Sequence, residues 1–357
     1  MKHVLHVVGG VYSMGGISAF VETVAAVENP GLRQSVWVHP GYRSLTSGSI
    51  DFVRCGRAEL RSCGLFRELI DTVPEALALA RWLRANRGAI IHAHTRLGIF
   101  ATSLVPRRLR SRSFHHFHAL VGKTSLYRFL WNFSGSTPVF NSALTCRHLG
   151  FAPENSAIVH PPIQWPDLPS NTLPRTGVRF VASGRFVSSK NFPAVIRAFS
   201  QLGRTGAELH LYGGNPDPLA QRSGDEREVR EWAKRVSGVC LHDYDPEWVR
   251  SLSPDDVFIH MGRPESFGMV ILEAFARGCR LVVLDGTFLD FLPPPLSIQG
   301  IFRCQDPVET TIRHEMQSAV ADEVSGNLRF TNRLVLKDSF SPRRIAEQLA
   351  ALYAQGA

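Results

Sequence analysis

No stretch of this 357-residue chain reaches the run of about eighteen apolar residues that a membrane-spanning helix requires. Lys2 precedes an apolar stretch too short for a signal peptide, and no small-residue cleavage site follows, so residues 1–10 read as a first buried strand. Cysteine is sparse. Cys55, Cys63, Cys146, Cys240, Cys279 and Cys304 form no Cys-x-x-Cys pair, which excludes the usual zinc frameworks, and they are too few for a disulfide scaffold. Reduced thiols in the cytoplasm are the expectation. No repeat of solenoid period and no low-complexity tract is present.

Acidic residues are scarce in one half only. The net charge is +9, but residues 1–165 hold 18 Lys+Arg against 8 Asp+Glu, whereas residues 166–357 hold 22 against 23. The densest basic run is Arg107, Arg108, Arg110 and Arg112, followed by His115, His116, Lys123 and Arg128. Such a field suits an anionic partner, either a phospholipid surface or a phosphorylated acceptor, or it is a solvated basic face. Basic motifs interleaved with aromatics are missing, so nucleic acid is not an expected partner.

Short apolar runs alternate with helical spacing along the whole chain, which predicts α/β architecture with parallel sheets. Strands are expected at Val4–Val8, Ser35–Val38, Ala89–Ala93, Ser113–His118 and Thr137–Phe140, with helices at Ile17–Val27 and Val73–Arg84. Four prolines between His160 and Pro169 interrupt the pattern. A second series follows, with strands at Val178–Ala182, Glu208–Tyr212, Asp256–His260 and Arg280–Leu284. Its helices are expected at Phe192–Leu202, Glu226–Val236, Met269–Arg277 and Arg343–Ala354. The reading is a domain over residues 1–165, a linker over 166–176, a second domain over 177–340 and a C-terminal helix within 341–357. Both domains are expected to be Rossmann-like and doubly wound. Open parallel sheets gather ligands at the carboxyl ends of their strands, so two such domains facing each other would enclose a central cleft.

Four segments could carry chemistry at those strand ends. Glu265-Ser266-Phe267-Gly268-Met269 leads from a strand into a helix that contains Glu273. Ser266 is a candidate N-cap, Gly268 allows close backbone approach, and the free N–H groups of the first turn suit a diphosphate. The carboxylates of Glu265 and Glu273 suit paired hydroxyls of a ribose or a sugar. Arg185 and Lys190 follow the strand Val178–Ala182, where two cations could offset charge on a departing diphosphate. Gly15 and Gly16 belong to a glycine-rich loop after the first strand. Histidines end two strands of the first domain, in His92-Ala93-His94 and at His118.

Glu265 to Glu273 resembles the E-x7-E signature of retaining GT-B glycosyltransferases of family 4, the glycosyl transferases group 1, and matches E-x-F-G-x-x-x-x-E-A without a gap. The resemblance implies that Glu273 binds the ribose hydroxyls of a nucleotide and Glu265 a donor-sugar hydroxyl. The backbone of Ser266, Phe267, Gly268 and Met269 would line the sugar and pyrophosphate. Arg185 and Lys190 match the family's G-R-x-x-x-x-K-[GN] run, and Gly15 and Gly16 its glycine pair. His118, and secondly His94, match family histidines that touch the donor sugar, with His115 and His116 as neighbours that could shift the registration. The sequence departs from the family at His260-Met261-Gly262-Arg263, at the loop from Asp285 to Phe291, and at His160-Pro161-Pro162.

The implied activity is metal-independent, retaining transfer of a hexose-type sugar from a nucleotide-diphosphate sugar. The acceptor would be a glycan, a lipid-linked or a small molecule, in polysaccharide or glycoconjugate biosynthesis. No cofactor or metal is expected, since Asp243-Tyr244-Asp245 has the letters of a metal motif but lies apart from the Glu265 loop. Peripheral contact with the inner membrane face through Arg107, Arg108, Arg110 and Arg112 is a further expectation, as is packing of the C-terminal helix on the first domain. A nucleotide-sugar epimerase or phosphorylase-like enzyme on the same fold, and a non-catalytic nucleotide-sugar-binding protein, remain the alternatives.

Overall fold

The computed structural model describes residues 1–9, 15–44, 49–56, 65–163, 177–214, 224–245, 247–263, 265–285, 300–322 and 336–355. The chain divides into two compact units, Met1–Pro162 with Phe340–Ala357, and Ile163–Ser339. The expected linker, 166–176, lies outside the described residues.

In the first unit, β1 (Lys2–Val7), β2 (Leu32–Trp37), β3 (Asp51–Val53), β4 (Ile90–Ala93), β5 (Arg112–Phe117), β6 (Thr137–Phe140) and β7 (Ala157–Ile158) form a parallel sheet. Its order is β3-β2-β1-β4-β5-β6-β7, so the winding reverses between β1 and β4. The central strands are buried on both faces, which is why they read as apolar runs. The helices are α1 (Gly15–Ala25), α2 (Leu65–Ala85), α3 (Arg96–Leu104), α4 (Thr124–Ser134) and α5 (Ala143–His148). Side-chain caps fix two of their starts: Thr95 accepts from the Gly98 amide at 3.1 Å, and Ser142 from that of Thr145 at 3.2 Å. The C-terminal helix, Pro342–Ala354, is capped by Ser341 and belongs to this unit. It buries Ile345, Leu349 and Tyr353 against Val4, Phe20 and Phe114. The spacing placed the start of α2 at Val73, but the helix runs through Pro74. A proline fits a first turn and costs a hydrogen bond in an interior, so the pattern pointed to a start there.

In the second unit, β8 (Arg179–Gly184), β9 (Glu208–Gly213), β10 (Val239–His242), β11 (Val257–His260), β12 (Arg280–Leu284) and β13 (Ile301–Cys304) pair in the order β10-β9-β8-β11-β12-β13. All pairings are parallel, and the reversal falls between β8 and β11. Helices α6 (Phe192–Ser200), α7 (Gly224–Arg235), α8 (Met269–Ala276) and α9 (Glu309–Ala321) accompany them. The core joins Phe180, Ile196, Leu211, Ile259, Val282 and Met316. Arg179, at the start of β8, forms a buried bidentate pair with Asp256, the residue before β11, and Asp256 also accepts from the Ser253 amide. This pair fixes the two central strands at their amino ends, and so fixes where their carboxyl-end loops meet. Removing one partner of such a pair costs about 3–5 kcal/mol.

The fold is two parallel-sheet, Rossmann-like α/β units. Among the described residues no helix is long and apolar enough to cross a membrane.

Candidate functional site

The reversal point of the second sheet brings two loops together. After β8 the chain forms a short 3-10 turn, Ser188–Lys190, and Asn191 then adopts a left-handed conformation with φ of 54°. The Asn191 side chain does not cap α6. It donates instead to the Met261 carbonyl at 2.7 Å, beyond β11. The Arg263 amide returns a bond to the Ser189 carbonyl at 2.9 Å. Latched in this way, Lys190 Nζ donates to Glu265 Oε2 at 2.6 Å. His260 Nε2 lies 3.2 Å from the same oxygen.

Gly262 makes room for this convergence. A Cβ there would sit 2.7 Å from His260 Nε2 and 2.9 Å from Lys190 Cδ, so only glycine lets both side chains converge on Glu265. Burial works to raise the Glu265 carboxyl, but the His260 ring and the Lys190 ammonium outweigh it and hold the group well below the usual carboxylate range. Burial lowers His260, against a smaller upward pull from Glu265. The result is a fixed carboxylate with a neutral ring and a cation beside it.

Helix α8 opens differently from the expectation. Ser266 is not its N-cap; that position is Gly268, left-handed with φ of 83° and with no side-chain cap bond. The left-handed φ favours glycine here, and a Cβ would in addition push on Ile271 Cδ1, 2.8 Å away. A serine cap would have occupied an N–H of the first turn. The glycine cap brings no side-chain acceptor to that turn, where the Ile271 amide donates to the Gly268 carbonyl at 3.0 Å and the N–H groups ahead of it face the helix start. The Phe267 side chain is buried, so only its backbone can face a ligand, while Ser266 and Met269 are half-buried.

One turn into α8, Glu273 is half-buried and has no hydrogen-bond or ion-pair partner among the described residues. Burial raises its carboxyl to about 7. Tyr244, just after β10, is close enough for Glu273 to help raise its phenol, after the larger effect of burial. Motif reading missed Tyr244, along with His260; the signal available for both was their place just after, or at, the carboxyl end of a strand. Arg185 is exposed and has no ion pair among the described residues. The structure thus brings together Lys190 and Glu265 but not Arg185. The Asp243-Tyr244-Asp245 carboxylates are in use: Asp243 accepts from Arg230 at 2.8 Å, and Asp245 from the Glu247 amide at 2.8 Å.

The corresponding reversal in the first unit has a different character. Gly15 and Gly16 begin α1, and the loop before them, 10–14, lies outside the described residues. Five histidines share one face of β1, β4 and β5 and the residues just beyond: His6, His92, His94, His116 and His118. His6 Nδ1 is 3.0 Å from His94 Nε2, and His94 Nδ1 is 3.0 Å from His118 Nε2. His92 pairs with the Tyr353 hydroxyl, and the His116 and His118 rings stack at 3.9 Å. Burial lowers all five, His6 to about 4 and His118 to about 3. His115 is on the opposite face, which separates it from the group, whereas His116 shares the face of His118. The sets His6, His92, His94 and His94, His116, His118 are close enough to share a metal ion. Among the described residues no other His, Cys, Asp or Glu group is, so Glu265 and Glu273 belong to none.

The basic run is corrected by its hydrogen bonds. Arg107 donates to the carbonyls of Phe133 and Ser134, and Arg110 to that of Ser134, all at the end of α4. Arg112 donates to the carbonyls of Tyr353 and Gln355, at the end of the C-terminal helix. Three of the four guanidiniums therefore close helix ends, where cations offset the orphan carbonyls and the helix dipole. They do not form one free basic face. Of the four, Arg110 is buried outright.

The family model for glycosyl transferases group 1 matches residues 164–289, the stretch that holds Lys190, Glu265 and Glu273. No curated protein matches the chain by sequence. Among solved structures, the chain is similar to sucrose-phosphate synthase of Thermosynechococcus elongatus, with a TM-score of 0.80 and 15% identity over 99% of each chain. It is similar to HepE of Anabaena, solved with UDP-glucose, with a TM-score of 0.75 and 14% identity over 99% of this chain and 100% of that one. A glycosyltransferase of Rickettsia africae gives a TM-score of 0.75 and 13% identity over 100% and 99%. At such identities the likeness is one of fold, and the fold is that of GT-B glycosyltransferases.

Proposed function

We propose that this chain is a retaining glycosyltransferase that moves a hexose-type sugar from a nucleotide-diphosphate sugar to a glycan, lipid-linked or small-molecule acceptor. The observation that carries the reading is the Lys190–Glu265 pair, 2.6 Å apart at the reversal of the second sheet, beside the glycine-capped start of α8. An ammonium has three protons. One goes to Glu265, and the others are available to phosphate oxygens together with the N–H groups of α8. Glu273, one turn further, would take the ribose hydroxyls, and Glu265 a hydroxyl of the sugar. Charge gathers on the diphosphate as the glycosidic bond breaks, and preorganised donors aimed at that charge lower the barrier.

In the retaining reaction the departing phosphate oxygen takes the acceptor's proton on the face it leaves, so no protein nucleophile is required. Lys190 and the helix start would supply the electrostatic stabilisation, with Arg185 reaching in from the exposed loop. The two carboxylates of Asp243 and Asp245 are already bonded elsewhere. The reading therefore assigns no divalent metal to the transfer, and activity should survive excess EDTA.

The test is a thermal-shift panel of nucleoside diphosphates, with UDP first because HepE was solved with UDP-glucose. A ligand at 100 times its dissociation constant adds about 2.7 kcal/mol of stability. A donor that stabilises the protein is then incubated with and without acceptors, and the anomer of the product is read by NMR. Conversion of donor without acceptor would replace this reading with an epimerase. A panel that shifts nothing would remove the nucleotide site altogether.

A further inference from the structure

The first unit contains a line of hydrogen bonds that the E-x7-E site does not account for. Gln34 on β2, His6 on β1, His94 just past β4 and His118 just past β5 lie on four neighbouring strands or their immediate extensions. Val4 pairs with Gln34, His6 with His92, and continuing the register pairs His94 with His116. Each step of the line therefore moves one strand across and two residues toward the carboxyl edge. It is a diagonal that brings His118 to the carboxyl edge, where ligands of a doubly wound sheet collect.

The donor direction along this line is set at its far end. The Gln34 side-chain NH2 donates to the Val24 carbonyl at 3.2 Å and the Val27 carbonyl at 3.4 Å, so its Oε1 faces His6. His6 Nε2 then carries the proton, 3.0 Å from Gln34 Oε1. In a neutral ring the other nitrogen must accept, so His6 Nδ1 accepts from His94 Nε2, and His94 Nδ1 from His118 Nε2. Burial keeps the rings neutral, which the alternation requires.

We infer that Gln34, His6 and His94 are positioning residues that fix the tautomer of His118, so that His118 Nδ1 is an acceptor for a sugar hydroxyl. This rests on the glycosyltransferase reading for the identity of the hydroxyl, but the tautomers themselves do not. A metal on either histidine triad is the competing account of the cluster. It would need lone pairs of His94 and its neighbours that the relay already engages, so metal and relay exclude each other.

The experiment is long-range 1H–15N NMR of the imidazoles in chelator-treated, ligand-free protein, wild type and two variants. The expected result is the Nε2–H tautomer at His6, His94 and His118 in the wild type. Gln34→Glu loses the donors to the Val24 and Val27 carbonyls but keeps an acceptor toward His6 Nε2, and should keep the pattern. Gln34→Leu removes it and should give mixed tautomers at all three rings, with kcat falling roughly three- to tenfold, the worth of one hydrogen bond, and UDP affinity unchanged. An Nδ1–H tautomer at any of the three rings in the wild type overturns the proposal. So do tautomers that ignore Gln34→Leu, unchanged kcat in that variant, or stoichiometric zinc uptake that shifts these signals at neutral pH. Should Gln34→Leu not fold, the wild-type and Gln34→Glu spectra still decide the tautomers. Should no transfer be found with any donor, the function fails on the nucleotide panel while the tautomer pattern is judged separately.

Discussion

The two units share one sheet order around the reversal and fill that reversal in opposite ways. In the second unit it holds a cation, Lys190, a carboxylate, Glu265, and a glycine-capped helix start. In the first it holds a block of buried imidazoles that burial keeps neutral, three of them in one hydrogen-bonded line. A diphosphate calls for charge and N–H groups. A sugar calls for uncharged groups that accept or donate without drawing in an ion. The same topology thus carries two kinds of surface, one charged and one neutral, and the residues at the strand ends decide which.

The sharpest way to break this comparison is acid. Burial lowers His6, His92, His94, His115, His116 and His118 in the first unit, whereas the second has His260 and His242 lowered and Glu273 raised. A histidine with a depressed folded value binds its proton first in the unfolded chain. Its stabilisation is present above about 6.5 and is lost as pH falls toward the folded value, by up to about 1.4 kcal/mol per pH unit for each ring. Glu273 has the opposite sign: its protonated form favours the fold, and that contribution fades as pH rises through about 7. Hydrogen exchange between pH 7.5 and 5 should therefore show the first unit opening well before the second, with a loss on the order of several kcal/mol. If both units open together, or the second opens first, the neutral block is not what separates them.

Catalysis offers the next largest contrast. Lys190→Ala should lower kcat by roughly 10²–10³ with a smaller change in donor KM, because the charge it meets develops in the transition state. Arg185→Ala should cost less, since Arg185 is exposed and outside the latched pair. A change confined to KM would make Lys190 a ground-state anchor instead.

A smaller effect is expected at Glu273. Glu273→Ala should weaken binding of a nucleoside diphosphate by about 1.5–3 kcal/mol, the range for hydrogen bonds to a charged group. Hydroxyls that donate to this carboxyl favour its ionised form, and in the ligand-free protein it titrates at about 7. Binding should therefore release protons near neutrality, and affinity should fall as pH drops below 7. Calorimetry in two buffers of different ionisation enthalpy reads the proton count directly; a count of zero, or equal affinity in the variant, would remove Glu273 from the site.

Periodicity and motifs made the core of each sheet legible, because strands buried on both faces announce themselves as apolar runs, as in Val257–His260 and Arg280–Leu284. The spacing of Glu265, Gly268 and Glu273 marked the start of α8 for the same local reason. The edge strands β3, β7, β10 and β13, only two to four residues long, carried too few side chains for a pattern. Helices α3, α4, α5 and α9 went unread as well, although Thr95 and Ser142 stood ready as caps for two of them. Ser266 looked like a cap because serine caps often, but the left-handed Gly268 sets the helix start two residues later. The partners of Lys190 and the use of Arg107, Arg110 and Arg112 at helix ends depend on contacts between residues 24 to 243 positions apart, which no local pattern encodes.

The smallest effect concerns the outer surface of the first unit, within the half of the sequence that carries the excess basic charge. With three arginines drawn into helix ends, the surface beside them is apolar: Phe129 and Phe133 on α4 are 62% and 58% exposed, and Leu104 at the end of α3 is 49% exposed. Arg107 donates to the Phe133 carbonyl at 3.0 Å, so these side chains and the exposed Arg108 share one neighbourhood. Aromatic rings flanked by guanidinium groups suit the interface of an anionic bilayer, and each basic residue near such a surface contributes about 1 kcal/mol. Peripheral contact, if the acceptor is lipid-linked, should then depend on Phe129, Phe133 and Arg108 rather than on the whole basic run. Co-sedimentation with vesicles at low salt should show binding to anionic but not to neutral lipid. Phe129→Ser with Phe133→Ser should weaken it, Arg108→Ala should weaken it by a few-fold and reduce its salt dependence, and Arg112→Ala should leave it unchanged because that guanidinium is committed to the C-terminal helix. Binding that ignores the phenylalanines but falls with Arg112→Ala would restore the basic run as the contact, and negligible binding to either lipid would leave this face to a soluble acceptor.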